Sequence, residues 1–371
     1  MEQKISGMNK VYIVDIEAVE TRYTAQWKKH LPKQLSKALD DNEVEVISGG
    51  DVPQATTPGA FLNFGGTNVY KSKQLEQIAE MFCNGTVKDG DYFLYTDAWN
   101  PTVIQLRYMA ELLGVNIRIG GMWHAGSYDP ADFLGRLIGD KPWVRNAERS
   151  MFDCYDHNFF ATQFHVNLFT QSFKEVNHDK IYVVGWPMEY LVDELEPYKG
   201  IEKENIILFP HRIAPEKQPE IFRDLAHEFP DYKFIVCQDE ELTKDEYHTL
   251  LAKSKIVFSA NLQETLGISA YEGAILGSIP MVPNRLSYTE MYPDICKYPS
   301  NMTESFDGYL DRKKTMCAKI TDTMKANDVY EEHIPKVLEK VEPFFNGAKL
   351  YDIIKESINI AHTNKDNQKE D

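Results

Sequence analysis

Short apolar runs alternate with amphipathic, helix-like stretches along this 371-residue chain, and they do so in two successive series. VYIVDIE (Val11 to Glu17), VEVIS, YFLYTD (Tyr92 to Asp97), NIRIGGMW and IYVVGWP (Ile181 to Pro187) form the first. NIILFPHR, KFIVCQ, KIVFSA and IPMVPN form the second, four strands at regular spacing. Strand-length apolar runs separated by helical patterns predict an α/β class with parallel sheets covered by helices. The segment from Met188 to Asn205 is charged and contains Pro197 and Gly200, so the domain boundary is expected there. The expected division is residues 1–198, residues 199–345, and a C-terminal helix and polar tail over 346–371. In open sheets of this kind ligands bind beyond the carboxyl ends of the strands, so the loops after the strands are where chemistry is expected.

Local punctuation refines the elements. A helix is predicted from about Ala25 to Leu39, and Gly50 to Lys71, rich in Pro, Thr, Gly and Asn, reads as loop. Asn100 as N-cap, Pro101 as first helical residue and Gly114 as stop frame a helix with Val103, Leu106, Ala110 and Leu113 on one face. Asp129-Pro130 reads as another N-cap and first turn. A last helical stretch runs from about Val329 to Ala361 with a break near Asn346-Gly347, and the polar end from Thr363 is expected to be disordered.

Composition excludes several classes. A net charge of −17 argues against a surface coated in positive charge for general nucleic-acid binding, though it leaves room for a local basic groove. No run of 18 or more apolar residues is present, so no membrane span is expected. The start, MEQKISGMNK, has no apolar h-region, and with that a cytoplasmic protein is expected. The five cysteines are scattered and include no C-x-x-C, which reads as reduced, mostly buried thiols rather than a zinc or disulfide set.

Two motifs carry the chemistry. In QETLGISAYEGAILGSIPMVPNRLSYTEMYP, from Gln263 to Pro293, Glu264 and Glu272 lie eight positions apart around Gly267, with Gly277 and Pro280 closing the segment. A glycine turn at a helix start exposes backbone N–H groups suited to a phosphate, and carboxylates accept hydrogen bonds from sugar hydroxyls. In FPHRIAPEKQPEIF, Arg212 and Lys217 directly follow a predicted strand. Two cations there can stabilise a departing diphosphate without a metal, and no Asp-x-Asp metal signature is present.

These segments resemble the Glu-x7-Glu and Arg/Lys elements of retaining GT-B glycosyltransferases of the family-4 type. The resemblance implies two Rossmann-like domains facing across a cleft, a nucleoside-diphosphate sugar as donor (a UDP-sugar first among them), and no metal or other cofactor. It implies that Arg212 and Lys217 hold the donor phosphates, that Glu264 and the N–H groups of Thr265, Leu266, Gly267 and Ile268 meet the sugar and diphosphate, and that Glu272 binds the ribose hydroxyls. Thr265 departs from the pattern, where glycine is commoner. His124, after NIRIGGMW, matches a histidine placed near the donor sugar, which completes a catalytic set of His124, Arg212, Lys217 and Glu264.

The first-strand loop DIEAVETRYTAQW lacks the Gly-Gly pair common in that family. Acceptor recognition is the natural role for its Asp15, Glu17, Arg22 and Tyr23, joined by Asp97 and Trp99 in TDAWNP. PNRLSYTEMYP resembles transferases that mannosylate queuosine in tRNA, and also glycosyltransferases of tailed phages that modify hydroxymethylated pyrimidines in DNA. Both glycosylate a base within a polynucleotide. Arg136, Lys141, Trp143, Arg145 and Arg149, and separately Lys28, Lys29, Lys33 and Lys37, are basic stretches compatible with such an acceptor. The expected activity is therefore sugar transfer to a hydroxylated pyrimidine in phage DNA. The alternatives are a tRNA-base or small-molecule acceptor, a GT-B-fold sugar-nucleotide epimerase, or a non-catalytic nucleotide-sugar sensor.

Overall fold

A computed structural model describes residues 9–18, 23–40, 43–57, 62–139 and 141–367, with side chains described as far as residue 359. Residue contacts divide the chain into two units: 1–161, 165–187 and 347–371 in the first, and 162–164 with 188–346 in the second. Where the sequence put the boundary at 198/199, the contacts put it at 187/188. The cause is the helix Tyr190–Leu195, whose buried Tyr190, Leu191 and Leu195 pack with the second unit. The C-terminal helix Ala348–Asn367 returns to the first unit: Asn9 donates to the Ile358 carbonyl at 3.3 Å, and Gln34 to the Tyr351 hydroxyl at 3.0 Å. That helix runs past Thr363, where the polar composition predicted disorder.

The first unit holds a six-stranded sheet of β1 (Val11–Val14), β2 (Val44–Ile47), β3 (Tyr92–Tyr95), β4 (Arg118–Trp123), β5 (His157–Phe160) and β6 (Ile181–Val183). Its order is β2-β1-β3-β4-β5-β6, and every pairing is parallel. The second unit holds β7 (Ile206–Phe209), β8 (Lys233–Val236), β9 (Ile256–Phe258), β10 (Ile279–Pro283) and β11 (Lys297–Tyr298), in the order β11-β10-β9-β7-β8, again parallel. Both sheets thus share one doubly wound plan. Their strand order reverses between β1 and β3 in the first and between β7 and β9 in the second. Those switch points are where the loops of adjacent strands diverge and leave room for a ligand.

Burial explains the strand composition. β1, β3, β7, β9 and β10 are buried on both faces, so they read as continuous apolar runs rather than alternating ones. β5 was not foreseen, because HNFF is short and merges with the helix before it. Its register against β4 is what defines it. The stretch read as loop to Lys71 becomes helical at Phe64: Asn63 caps the helix Phe64–Cys83 by accepting from the Gly66 N–H at 2.8 Å. Its Thr67, Tyr70, Gln74 and Ile78 form the buried face, and two glycines in the first turn had masked that periodicity. The helix Thr102–Leu113 ends at Gly114 (φ 68°) as expected, and Asn100 accepts from the Thr102 N–H at 3.2 Å, but Leu113 is exposed. The helix expected after Asp129 begins instead at Phe133, capped by Asp132. Of the cysteines, Cys296 is buried and Cys83, at a helix end, is exposed. Among the described residues no helix is long and apolar enough to cross a membrane.

Candidate active site

The loop after β7 and the loop after β9 flank the switch point of the second sheet, and they carry both sequence motifs. Pro215–Lys217 is a single turn that buries the Lys217 side chain to 8% exposure. Its ammonium donates to the Gln263 carbonyl at 2.6 Å and to Glu264 Oε2 at 3.1 Å, so the two motifs meet at one ion pair. Arg212 is far more exposed and is paired with the buried Glu216 four residues on.

Glu264 is held from three sides. Lys217 and Asn261 Nδ2 (3.0 Å) reach Oε2, and the Thr265 N–H donates to Oε1 at 3.1 Å. Burial pushes this carboxyl up, but the Lys217 charge, its hydrogen bond and the Thr265 N–H outweigh that, and its pKa ends below the ordinary value. Glu264 is therefore an anion, and the Thr265 N–H is already spent on it. The next backbone N–H groups, of Leu266, Gly267, Ile268 and Ser269, have no acceptor among the described residues. They stand at the start of the helix Ile268–Ile275, where the backbone dipole favours an anion.

Gly267 makes the turn possible. It sits at φ 71°, ψ 60°, in the left-handed region, and a Cβ there would lie 2.8 Å from Tyr288 Cε1. Tyr288 packs against the glycine while its hydroxyl contacts Ser259 at 3.2 Å and Asn261 at 3.3 Å. Glu272, one turn into the helix, is largely buried and accepts from the Tyr247 hydroxyl at 2.9 Å, with His248 Nε2 3.9 Å from its other oxygen. Burial pushes its pKa up to about 7.

The first unit places its predicted residues at the corresponding switch point, after β1, β3 and β4. Asp15 is buried. One carboxylate oxygen accepts from Tyr70 and Gln74, and the Lys28 ammonium lies 3.7 Å from the other. Burial pushes its pKa up to about 6. Glu17, also buried, accepts from Thr67. Both carboxylates are thus bound to the helix Phe64–Cys83. Tyr23 joins His124 instead: its hydroxyl is 2.5 Å from Nδ1, while Nε2 lies 2.6 Å from the Thr96 carbonyl. A carbonyl only accepts, so Nε2 carries a proton toward Thr96, and the Tyr23 hydroxyl pairs with Nδ1. Trp27 and Trp186 complete the packing around the imidazole at centroid distances of 5.2 Å each. Arg22 lies outside the described residues.

Asp97, Trp99 and Arg145 form a third group. Asp97 accepts from the Trp99 N–H at 3.0 Å. The Trp99 indole N–H donates to Glu148 at 2.8 Å, and Arg145 lies 3.8 Å from the other oxygen of that carboxylate.

No family model matches the sequence. A stretch covering 24% of this chain is 26% identical to part of the tRNA-queuosine alpha-mannosyltransferase of Drosophila melanogaster, and it spans 30% of that protein. Among solved structures, the pneumococcal O-GlcNAc transferase GtfA, in complex with UDP and GlcNAc, is similar at a TM-score of 0.50 and 11% identity, over 78% of this chain and 60% of GtfA. The chain therefore spans less than two thirds of either protein. The sucrose-phosphate synthase of Thermosynechococcus elongatus is similar over nearly its whole length: TM-score 0.58, 10% identity, 96% of this chain and 98% of that one. The chain has the GT-B glycosyltransferase fold.

Within this GT-B chain several site-forming residues escaped the sequence reading. Arg285, in the PNRL element, is the anchor of the β9 loop: it donates to the carbonyls of Ala260 (2.9 Å), Asn261 (2.8 Å), Ser300 (2.9 Å) and Thr303 (3.1 Å). The element taken as an acceptor signature therefore sets the position of Asn261 and, through it, of Glu264. His211, beside Arg212, is buried with Nε2 3.0 Å from the Phe258 carbonyl, and burial holds its pKa down at about 4. Glu148 is fully buried and gathers Trp99, Ser127 and Arg145. Arg145 lies one helical turn before it, but Trp99 and Ser127 come from two other loops, and sequence spacing does not mark those partners.

Proposed function

We propose that this chain is a retaining glycosyltransferase that moves a sugar from a nucleoside-diphosphate sugar, UDP-linked, to a hydroxyl on a nucleic-acid base, with a hydroxymethylated pyrimidine in phage DNA as the first acceptor. The observation that carries the reading is the Lys217–Glu264 pair at the second switch point, set beside a glycine turn whose N–H groups lack an acceptor among the described residues. A diphosphate needs positive charge and N–H donors together, and this arrangement offers both.

In this reading Lys217, Arg212 and the N–H groups from Leu266 to Ser269 take the diphosphate as it leaves. Arg212 exchanges Glu216 for phosphate, which its exposure permits. Glu264 keeps Lys217 in place and accepts from sugar hydroxyls, and ionised Glu272 accepts from the ribose. As positive charge grows on the sugar ring, the acceptor hydroxyl attacks from the face the diphosphate leaves, and a phosphate oxygen takes its proton. The anomeric configuration is retained without a protein nucleophile. His124, held through Nε2 on the Thr96 carbonyl, presents with Tyr23 a polar edge for the sugar.

Support for a base acceptor comes from the matched stretch of a tRNA-queuosine mannosyltransferase, and support for UDP from the pneumococcal transferase solved with it. The test is transfer of label from a panel of sugar nucleotides to hydroxymethylcytosine DNA, tRNA and small hydroxyl acceptors, with the anomeric configuration of the product read by NMR. Label on a base with retained configuration is expected. Donor turnover with no acceptor present, as an epimerase would give, or donor binding with no turnover, would overturn the reading.

A further inference from the structure

The helix Pro142–Cys154 carries a feature that the donor site does not use. Arg145 and Arg149, one turn apart, line a pocket of about 350 Å³ together with Asn146, Ser172 and Phe173. The Arg145 guanidinium lies 5.8 Å from the centre of the Phe173 ring, and its charge faces the fully buried Glu148 at 3.8 Å. Arg149 uses Nε on Asp153 at 3.1 Å and Nη2 on the Glu175 carbonyl at 3.2 Å, and an arginine has five N–H donors. Trp143, at the start of the same helix, is 58% exposed.

Glu148 ties this pocket to the first switch point. The carboxylate that faces Arg145 also receives the Trp99 indole N–H at 2.8 Å, and both the backbone N–H (2.6 Å) and the hydroxyl (2.9 Å) of Ser127. Trp99 is half-buried and pinned at its indole by Glu148 and at its backbone by Asp97. One buried carboxylate thus sets both a rigid aromatic face at the sheet's carboxyl edge and the arginine beside a polar pocket. An aromatic face with guanidinium groups next to it is the combination that stacks a base and holds its backbone phosphate. Because the whole chain carries a charge of −17, long-range attraction cannot gather a polyanion, and any contact with one has to be local.

We propose that Trp99, Arg145 and Arg149 form the acceptor platform for a polynucleotide, with Trp99 stacking a base and the two arginines taking a phosphodiester of the same strand. Glu148 is the positioning residue of this platform. The proposal rests on the nucleic-acid reading of the acceptor given above and names the groups that would grip it.

The test is fluorescence anisotropy of the full chain with a short labelled oligonucleotide containing hydroxymethylcytosine, single-stranded and duplex, and with tRNA in a separate arm, each across a salt series. Arg149→Ala is expected to weaken binding several-fold at low salt and to lower the slope of log K against log salt by about 0.7 to 0.9. Trp99→Leu is expected to weaken binding without changing that slope. Arg145→Ala removes the cation that faces Glu148, so Arg145→Lys, which keeps the charge and loses the fork, serves as the second variant if Arg145→Ala does not fold. Wild-type binding with an unchanged slope in Arg149→Ala would overturn the platform and leave the nucleic-acid reading standing. A wild type that binds neither DNA nor RNA and glycosylates only small acceptors would overturn both, while the glycosyltransferase activity itself would survive.

Discussion

Replacing Lys217 with methionine removes the ammonium that links the two motif loops while keeping most of the side chain's volume. Two consequences separate cleanly. The first is on stability, because Glu264 loses its cation while Asn261 and the Thr265 N–H remain. That cost has a ceiling, since a stranded carboxylate can take a proton. From an ordinary value of 4.5, neutralising it at pH 7 costs about 1.36 kcal/mol per unit, or roughly 3 kcal/mol. At pH 5 the ceiling drops below about 1 kcal/mol. Lys217→Met should therefore melt well below wild type at pH 7 and close to it at pH 5. The second consequence is on catalysis: loss of one preorganised cation from the departing diphosphate should lower kcat by about 10²- to 10³-fold, roughly 3–4 kcal/mol. Adding Glu264→Gln removes the stranded charge, so the double variant should recover stability at pH 7 without recovering transfer. The assays are thermal melting at both pH values and single-turnover label transfer. A Lys217→Met protein that transfers sugar at close to the wild-type rate would refute the phosphate role. A melting loss as large at pH 5 as at pH 7 would refute the charge argument.

Gly267→Ala should cost about 1–2 kcal/mol for the left-handed backbone alone, with more from the Tyr288 ring 2.8 Å from the new Cβ. Donor affinity should fall with it in titration calorimetry, and an unchanged melting temperature would contradict the turn geometry. Glu272, with its pKa raised to about 7, holds more protons folded than unfolded between pH 4.5 and 7. Its contribution to stability is thus full below pH 4.5 and lost as pH rises through 7, by up to about 3 kcal/mol. Glu272→Gln should flatten that part of the wild-type melting profile. In the same window, donor affinity should rise with pH in wild type and not in the variant. Arg285→Met removes the donors to four carbonyls, which at about 1 kcal/mol each predicts a loss of roughly 3–4 kcal/mol in denaturant unfolding. Transfer should also slow, because Asn261 and Glu264 lose their anchor. A stable variant with normal transfer would show that the PNRL arginine acts elsewhere.

The alternation of apolar runs with helical patterns determined the α/β class and most of the strands, because a parallel sheet buried on both faces needs unbroken apolar segments. Glycine and cation spacing likewise marked the loops after β7 and β9, since a left-handed turn at Gly267 and a cation at the sheet edge are local requirements that a local pattern can record. Tertiary structure decided the rest. The ion pair of Lys217 with Glu264, the grip of Arg285 on the β9 loop, and the meeting of Trp99 and Ser127 at Glu148 join residues from 15 to 49 positions apart in sequence. The same holds for β5, for the crossover at 187/188 and for the return of the last helix to the first unit. Such pairings depend on strand order and register, and one sequence read along its length has no periodicity that encodes which distant loops a sheet will bring to the same edge.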